Sequence, residues 1–484
     1  MNRWVLKRKI HISWLIAIAC IGIFAGIFFA KYTTNPFYNS ILCLFLSFLL
    51  LSTVMWRKNI YLIPLITIGG LLFGLWRGSI SSNELVQYKP LYKNIVSVIG
   101  IVKDDVDTGT SSQIIIRLSN LTINTKKMSG TLYITSSSAD IKRGDKLILH
   151  GKLAEGFGNF PGVIYRASID KIIHPKPGDI ARVVRDWFAD AIRKVIPEPE
   201  SSLGIGYLVG QRRSLPIDLS DALKLVGLTH VVVASGYNLT VLVRLARRLF
   251  IRISKFASAF AAVVMIVIFM AIAGASPSMS RAGLITSLSL AAWYYGRKFH
   301  PIILLSIAVA ATVLIDPSYA WGDLGWQLSF AAFAGVMILA PLAQRYFFGD
   351  KKPGIIGQIL GETVSAQIVT APIIIASFGQ LSNVAIVSNL LVLPLVPLAM
   401  LLTFIAGVGS LVLPSIATFI ALPATWVLGY SVSVTEYLAG LPWVTSTVNL
   451  AWWGVGLIYL VIIGICVYMW RVTKYNLREA NLVE

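Results

Sequence analysis

Charge is scarce in this chain. Of 484 residues only 13% are Asp, Glu, Lys or Arg, against roughly a quarter in a soluble domain. Acid is the scarcer sign, with 22 Asp and Glu beside 42 Lys and Arg, for a formal net charge of +20. Cysteine is nearly absent: Cys20, Cys43 and Cys466 all lie inside apolar runs. That leaves no exposed pair for a structural disulfide and no Cys-x-x-Cys for zinc or redox work. The five histidines, His11, His150, His174, His230 and His300, are scattered without metal-ligand spacing, so no metal and no cofactor is expected. No Gly-x-x-x-x-Gly-Lys-Ser/Thr occurs, which excludes a recognisable P-loop motor.

Apolar sequence is plentiful, at 56% of the chain with a mean hydropathy of +0.74. Runs near 20 residues recur, each about long enough to cross a ~30 Å hydrocarbon core. Three early spans are expected at Ile10–Ala30, Ser40–Trp56 and Ile60–Trp76. The first follows Arg3, Lys7, Arg8 and Lys9 but is too long for a signal-peptide core, so it reads as a retained span. Basic residues before it, and Arg57-Lys58 between the second and third, place those ends in the cytoplasm and bring the chain out near Arg77.

From about Glu84 to Pro175 the pattern changes to short Val-, Ile- and Thr-rich runs divided by turn formers. Five strands are expected, Ile95–Lys103, Gln113–Leu121, Thr131–Thr135, Lys146–Leu153 and Val163–Ile173. They fit a small Greek-key barrel, an OB-fold first and an SH3-like barrel as its rival. Between Lys89 and Lys176 there are 13 Lys and Arg against 7 Asp and Glu. An exported loop gains nothing topologically from that excess. It suits a polyanion, with Phe157, Phe160 and Tyr165 as stacking rings, or else it is a solvated surface with structural aromatics. Ile180–Ile196 mixes basic and aromatic residues at helical spacing and reads as a helix in the headgroup plane, closed by Pro197 and Pro199. Leu203 to Trp470 holds about eight further spans or partial spans. Leu390–Leu413, with Pro394 and Pro397, is either one kinked span or two re-entrant ones.

The fold class expected is therefore a polytopic α-helical membrane protein with a small exported all-β, OB-like barrel. Its segments are N-terminal helices (1–80), the barrel (84–178), an amphipathic interfacial helix (180–200), a second transmembrane domain (201–472) and a cytoplasmic tail (473–484).

Four segments carry polar or helix-breaking residues at membrane depth, where such groups are costly unless they face protein or water. The first runs from Gly204-x-Gly206-Tyr207 through Gly210-Gln211-Arg212-Arg213 to Gly227-Leu228-Thr229-His230 and Ala234-Ser235-Gly236-Tyr237-Asn238. The second is Gly274-Ala275-Ser276-Pro277-Ser278-Met279-Ser280-Arg281-Ala282. The third is Asp316-Pro317 with Gly325-Trp326-Gln327-Leu328-Ser329-Phe330-Ala331-Ala332. The fourth is Gln367-Ile368-Val369-Thr370-Ala371-Pro372 with Phe378-Gly379, Ser388-Asn389 and Pro394.

In that order and spacing the segments resemble the ComEC family, the inner-membrane channel for transforming DNA in competent bacteria. Phe157-Gly158-Asn159-Phe160-Pro161-Gly162-Val163-Ile164-Tyr165 resembles the end of that family's exported barrel. At 237–238 Tyr-Asn stands where the family pattern has a small or apolar residue followed by His. The resemblance implies a channel for single-stranded DNA in natural transformation, located in the bacterial cytoplasmic (inner) membrane. It implies as partners single-stranded DNA, membrane lipids, a cytosolic DNA translocase or helicase, a periplasmic or cell-surface DNA receptor and a separate nuclease. Many members continue into a metallo-β-lactamase-like domain. No His-x-His-x-Asp-His occurs here, so nuclease activity is not expected from this polypeptide. The rival reading is a channel or carrier for another anionic solute or lipid.

Candidate pathway residues are His230, Ser235, Asn238, Ser276, Ser278, Arg281, Gln327 and Glu362. Gly274 ends one helix, Ser276 caps the next and Pro277 fits its first turn. Helix starts of this kind bind phosphate, and Arg281 stands one turn in; the alternative is a short outer loop with Arg281 on a headgroup. His230 with its polar neighbours either lines a pore or makes structural hydrogen bonds. Glu362 either pairs with Arg281 or Arg213 or lies at the interface. Asp323 is expected to cap the helix from Leu324 and Asn389 to bond across helices. Candidate DNA contacts on the barrel are Lys142, Arg143, Lys146, Lys152, Phe157, Phe160 and Arg166.

An enzyme is not expected. Val233-Ala234-Ser235-Gly236 resembles the nucleophile segment of rhomboid proteases, but His230 lies about 140° around the helix from Ser235, and His300 sits beside Arg297-Lys298. Neither forms a Ser–His dyad.

Overall fold

The structure, a computed structural model, describes residues 10–33, 35–56, 60–108, 113–137, 141–175, 178–211, 215–232, 236–274, 277–296, 300–351 and 353–477. The chain forms two compact units, one of residues 1–178 with 302–326, the other of 179–301 with 327–484. Among the described residues eight helices are long and apolar enough to cross a membrane. The chain is a multi-pass membrane protein.

The first unit begins with α1 (Ile12–Ala30), α2 (Ile41–Trp56) and α3 (Ile63–Val86). α1 and α3 pack through glycine. A Cβ at Gly26 would lie 2.1 Å from the Leu71 carbonyl oxygen, and one at Gly74 2.1 Å from that of Ile23. Gly22 and Gly26 on one helix, and Gly70, Gly74 and Gly78 on the other, form small-xxx-small stripes that let the backbones touch. α3 runs ten residues beyond the end expected at Trp76, because nothing from Arg77 to Val86 breaks a helix.

That extension leads into the barrel. Its strands are β1 (Ile95–Val102), β2 (Asp107–Thr108), β3 (Ile114–Ile123), β4 (Lys126–Met128), β5 (Leu132–Ser136), β6 (Lys146–Glu155), β7 (Gly162–Ile164) and β8 (Ser168–Ile173). The sheet order β1-β3-β5-β7-β6 closes through a β1–β6 pairing, with β5 and β7 parallel. This is a closed five-stranded barrel consistent with the OB fold. β2 and β4 pair on β3 and β8 on β6. The fifth expected strand is two strands, because Arg166 turns the chain at φ +51° between β7 and β8. Inward residues alternate along β1 and β6 into a core that includes Val98, Leu118, Ile134, Leu149 and the Tyr88 ring. The Tyr88 hydroxyl donates to the Ser129 carbonyl at 2.7 Å and that of Tyr92 to the Pro161 carbonyl at 2.7 Å.

A segment remote in sequence completes this unit. α11 (Pro301–Ile315) ends where Arg77 donates to the carbonyls of Leu314 and Ile315 at 3.0 and 3.1 Å. A 3-10 turn over Pro317–Trp321 follows, and the Trp321 indole donates to the Ile27 carbonyl at 2.8 Å.

The second unit opens with α4 (Ile180–Arg193), α5 (Glu200–Val209), α6 (Ile217–Leu225), α7 (Thr229–Val232) and α8 (Gly236–Phe250). Longer helices follow: α9 (Lys255–Ala273), α10 (Pro277–Tyr294), then α12 (Leu324–Ala334), α13 (Ala340–Phe348) and α14 (Ile355–Phe378). The last are α15 (Ala385–Val392), α16 (Val396–Val412), α17 (Ala417–Ala439) and α18 (Trp452–Thr473). Short strands β9 (Gln380–Ser382) and β10 (Thr445–Thr447) pair antiparallel. α15 and α16 are joined by a 3-10 turn at Leu393–Leu395 into one 28-residue candidate span, so the proline-bearing stretch is one interrupted span. α12 and α13 are likewise joined by a π-helical turn, Gly335–Leu339.

α4 has two apolar faces. Phe188 packs on Phe404 with centroids 5.8 Å apart, and a Cβ at Gly407 would meet the Phe188 ring at 2.6 Å. Ile180, Val183, Val184 and Trp187, at i, i+3, i+4 and i+7, remain exposed, a stripe suited to a headgroup–acyl boundary.

Gly74→Leu is expected to part α1 from α3, costing about 1–3 kcal/mol or more through overpacking. Gly464→Ala on α18, with nothing within 4 Å of a Cβ, should be neutral. Unfolding temperatures of the detergent-solubilised proteins check the pair.

Candidate functional site

Parts of all four motif segments lie in the second unit, while Asp316-Pro317 and Gly325-Trp326 of the third belong to the first. α9 ends at Gly274, whose φ of +88° stops the helix and whose N–H returns to the Met270 carbonyl. α10 restarts at Pro277. The 19 residues of α9 rise about 1.5 Å each, ~28 Å in all, so the break falls at the end of a full crossing and not midway through one. Ser276 and Ser235 lie outside the described residues, as does the side chain of Ser278.

Arg281 stands in the second turn of α10 and is 1% exposed. Its guanidinium carbon lies 5.4 Å from the centroid of the Phe330 ring on α12, within the range where a cation is drawn to a ring face. Gln327 is one helical turn before Phe330 and half-buried. Next to Arg281, Ala282 meets the start of α8: a Cβ at Gly236 would lie 3.1 Å from its methyl. The π turn touches α14, since a Cβ at Gly335 would sit 2.6 Å from the Ser365 carbonyl oxygen. Segments from α8, α10, α12 and α14 are thus linked by direct contacts. A π turn inside an apolar helix is rare and often marks a functional position.

The polar candidates divide by environment. Asn238 is fully buried, and its Nδ2 donates to the carbonyls of Tyr207 at 2.9 Å and Val231 at 3.4 Å. It ties the start of α8 to α5 and α7. His230 is exposed, and its Nδ1 lies 3.0 Å from the Gly227 carbonyl oxygen one turn earlier. Glu362 is half-buried on α14 and accepts from Gln358 at 3.1 Å. It makes no ion pair among the described residues, so of the readings offered for it the pair with Arg281 is not made, and Arg213 lies outside them. Asn389 is buried, and its Oδ1 has no partner among the described residues.

The barrel candidates fall on two sides. Lys146, His150 and Lys152 project from the outer face of β6, with Lys171 beside them on β8 and His150 paired to Asp170 at 2.8 Å. Lys142 and Arg166 are exposed. Arg143 is 6% exposed, so the surface charge rests on the others. Phe157 and Phe160, in the β6–β7 loop, meet Tyr133 on β5. The three ring centroids are 5.2 to 5.5 Å apart, all edge to face. Tyr133 stands opposite Arg117 on β3, which pairs with Asp107 at 2.8 Å and Asp104 at 3.7 Å. Burial raises the Tyr133 phenol above its usual pKa, keeping the ring neutral at working pH. Since β7 separates β5 from β6, the ring cluster and the lysine stripe occupy different flanks. Tyr165 is exposed and outside the cluster.

Sequence reading passed over Phe330 and Tyr133. Phe330 stood in a quoted motif, and its partner is 49 positions away; Tyr133 looked like any outward strand residue. Among the described residues no group of three His, Cys, Asp or Glu could hold a metal.

The competence protein family model matches residues 207–473, which includes Asn238, Arg281, Gln327 and Glu362. ComE operon protein 3 of Bacillus subtilis (strain 168) is 24% identical over 232 residues, 47% of this chain and 29% of the relative. The chain thus aligns with less than a third of that relative's length. No solved structure matches.

Asn238→Ala should leave the Tyr207 and Val231 carbonyls unanswered, at about 1–3 kcal/mol. A lowered unfolding temperature with unchanged surface level is the expected result; an unchanged temperature would deny Asn238 its tie.

Proposed function

The chain belongs to the competence protein family, and on that premise we propose that it serves DNA uptake, as the channel that passes one strand across the bacterial cytoplasmic membrane. The observation that carries this reading is Arg281. A guanidinium held in an apolar bundle is costly, and such residues are retained where they act on a charged ligand or partner. It lies near the head of α10, beside a helix break, where backbone N–H groups and the helix dipole add positive potential. A phosphate backbone is the ligand such a place suits.

Arg281 is covered in this state, so a strand reaches it only when α10 and α12 part. The π turn at Gly335–Leu339 supplies a place for that helix to flex. The passage takes one strand; duplex DNA is too wide for a bundle of this size. Each phosphate moved inward against an inside-negative potential costs about 2.3 kcal/mol per 100 mV. The work therefore falls to a cytosolic translocase or helicase. A DNA receptor on the outer side and a separate nuclease would supply the strand.

The barrel receives that strand in this reading. Lys142, Lys146, Lys152 and Arg166 offer charge, and Tyr133, Phe157 and Phe160 offer ring surface for bases.

Arg281→Glu is expected to lower entry of labelled DNA into cells on the order of 100-fold, the scale of reversing one buried charge, at normal surface display. Undiminished entry would overturn the assignment. The purified full-length protein should bind single-stranded DNA with a log-affinity slope of about −0.7 per phosphate against log salt. Failure to bind at low salt would favour another anionic solute or lipid as cargo.

A further inference from the structure

The loop that carries Phe157 and Phe160 is fixed at its tip. Gly158, at φ +61°, meets Gly322, at φ +148°, backbone to backbone: a Cβ on Gly322 would lie 3.1 Å from Gly158 main-chain atoms. No L side chain fits either place without strain. Beside this contact the Asn159 amide donates to Oδ2 of Asp323 at 2.8 Å. The other oxygen, Oδ1, accepts from the Trp326 backbone N–H and so caps α12. One carboxylate thus answers both the barrel loop and the first turn of the helix that carries Gln327 and Phe330.

We infer that Asn159 and Asp323 form a positioning clasp, which holds the barrel's ring cluster in fixed register with the first turn of α12, so that a strand held by the rings is presented in one fixed position for its onward passage. The inference rests on the DNA-uptake reading. Three features set the clasp apart from ordinary loop packing. Asp323 is only 8% exposed, so its charge is held where each hydrogen bond counts for more than in water. Trp326, whose N–H it accepts, is itself locked, its indole donating to Thr312 Oγ1 at 3.0 Å and its ring stacking on Phe24 at 5.8 Å. The loop's far end is also held, by Tyr92 on the Pro161 carbonyl. Asn159 and Asp323 touch no strand themselves; they act through what they orient.

The donor–acceptor polarity supplies the test. Asn159→Asp sets carboxylate against carboxylate with little change of shape. Asp323→Asn alone keeps its one amide oxygen on the Trp326 N–H and turns its NH2 toward Asn159, whose amide can flip to accept it. The double variant N159D/D323N restores the bond reversed, since the new amide donates to the new carboxylate while its oxygen still caps α12. In cells with equal surface display, DNA entry is expected to fall about tenfold or more in N159D, the scale of one charge-assisted hydrogen bond. It should stay near wild type in D323N and return in the double variant. Binding of single-stranded DNA by the purified full chain should stay unchanged throughout. A double variant no better than N159D, or a loss of binding equal to the loss of entry, overturns the clasp. Hydrogen exchange at 156–161 reads it without DNA: protection should be lost in N159D and regained in the double variant. Rescue there, with wild-type protein that neither binds nor takes up DNA, would sink the uptake reading and leave the clasp standing. Unchanged exchange in N159D would sink the clasp alone.

Discussion

Inside a bilayer no water answers a polar group, so each one must be met by protein or by a ligand, and most of this structure's unusual features follow. Arg281 lies beneath a ring face and Asn238 spends its amide on two carbonyls, while Asp323, covered by protein at the barrel side, divides its oxygens between a helix start and a barrel loop. Each would be an ordinary surface residue in a soluble domain. Here each fixes the relation of two elements, because leaving its partner would cost more than moving with it.

The same constraint shapes the backbone. Interruptions within a span occur at Leu393–Leu395 and at the π turn from Gly335. At the last, a neighbouring helix closes in with the help of a glycine that gives it room. Broken helices tolerated only against protein are the raw material of membrane transport sites.

Much of this was legible in the sequence. Span positions followed from hydropathy, the barrel from alternation and turn residues, the stop at Gly274 and the restart at Pro277 from local chemistry. Asp323 was readable as a cap from its place before Leu324. Its second bond was not, since Asn159 is 164 positions away and no local pattern marks such a pairing. Gly22, Gly26, Gly70, Gly74 and Gly78 carried a readable signal, the four-residue spacing of small residues, which general hydropathy hid. Arg143 shows the opposite failure: composition counts a basic residue, yet only the fold shows which way it turns. The union of residues 302–326 with the N-terminal unit had no sequence signal of its own; it is made by contacts between distant residues, among them Arg77 on two carbonyls at the end of α11 and Trp321 on the Ile27 carbonyl.

α3 leaves its glycine-packed neighbour and runs, without a hinge, to a tyrosine buried in the barrel core. The barrel is therefore no tethered bead on a slack line; it is the head of a stiff mast. Its reach into the surroundings is set by the length of that helix, and a pull on the barrel would be felt as leverage between α1 and α3.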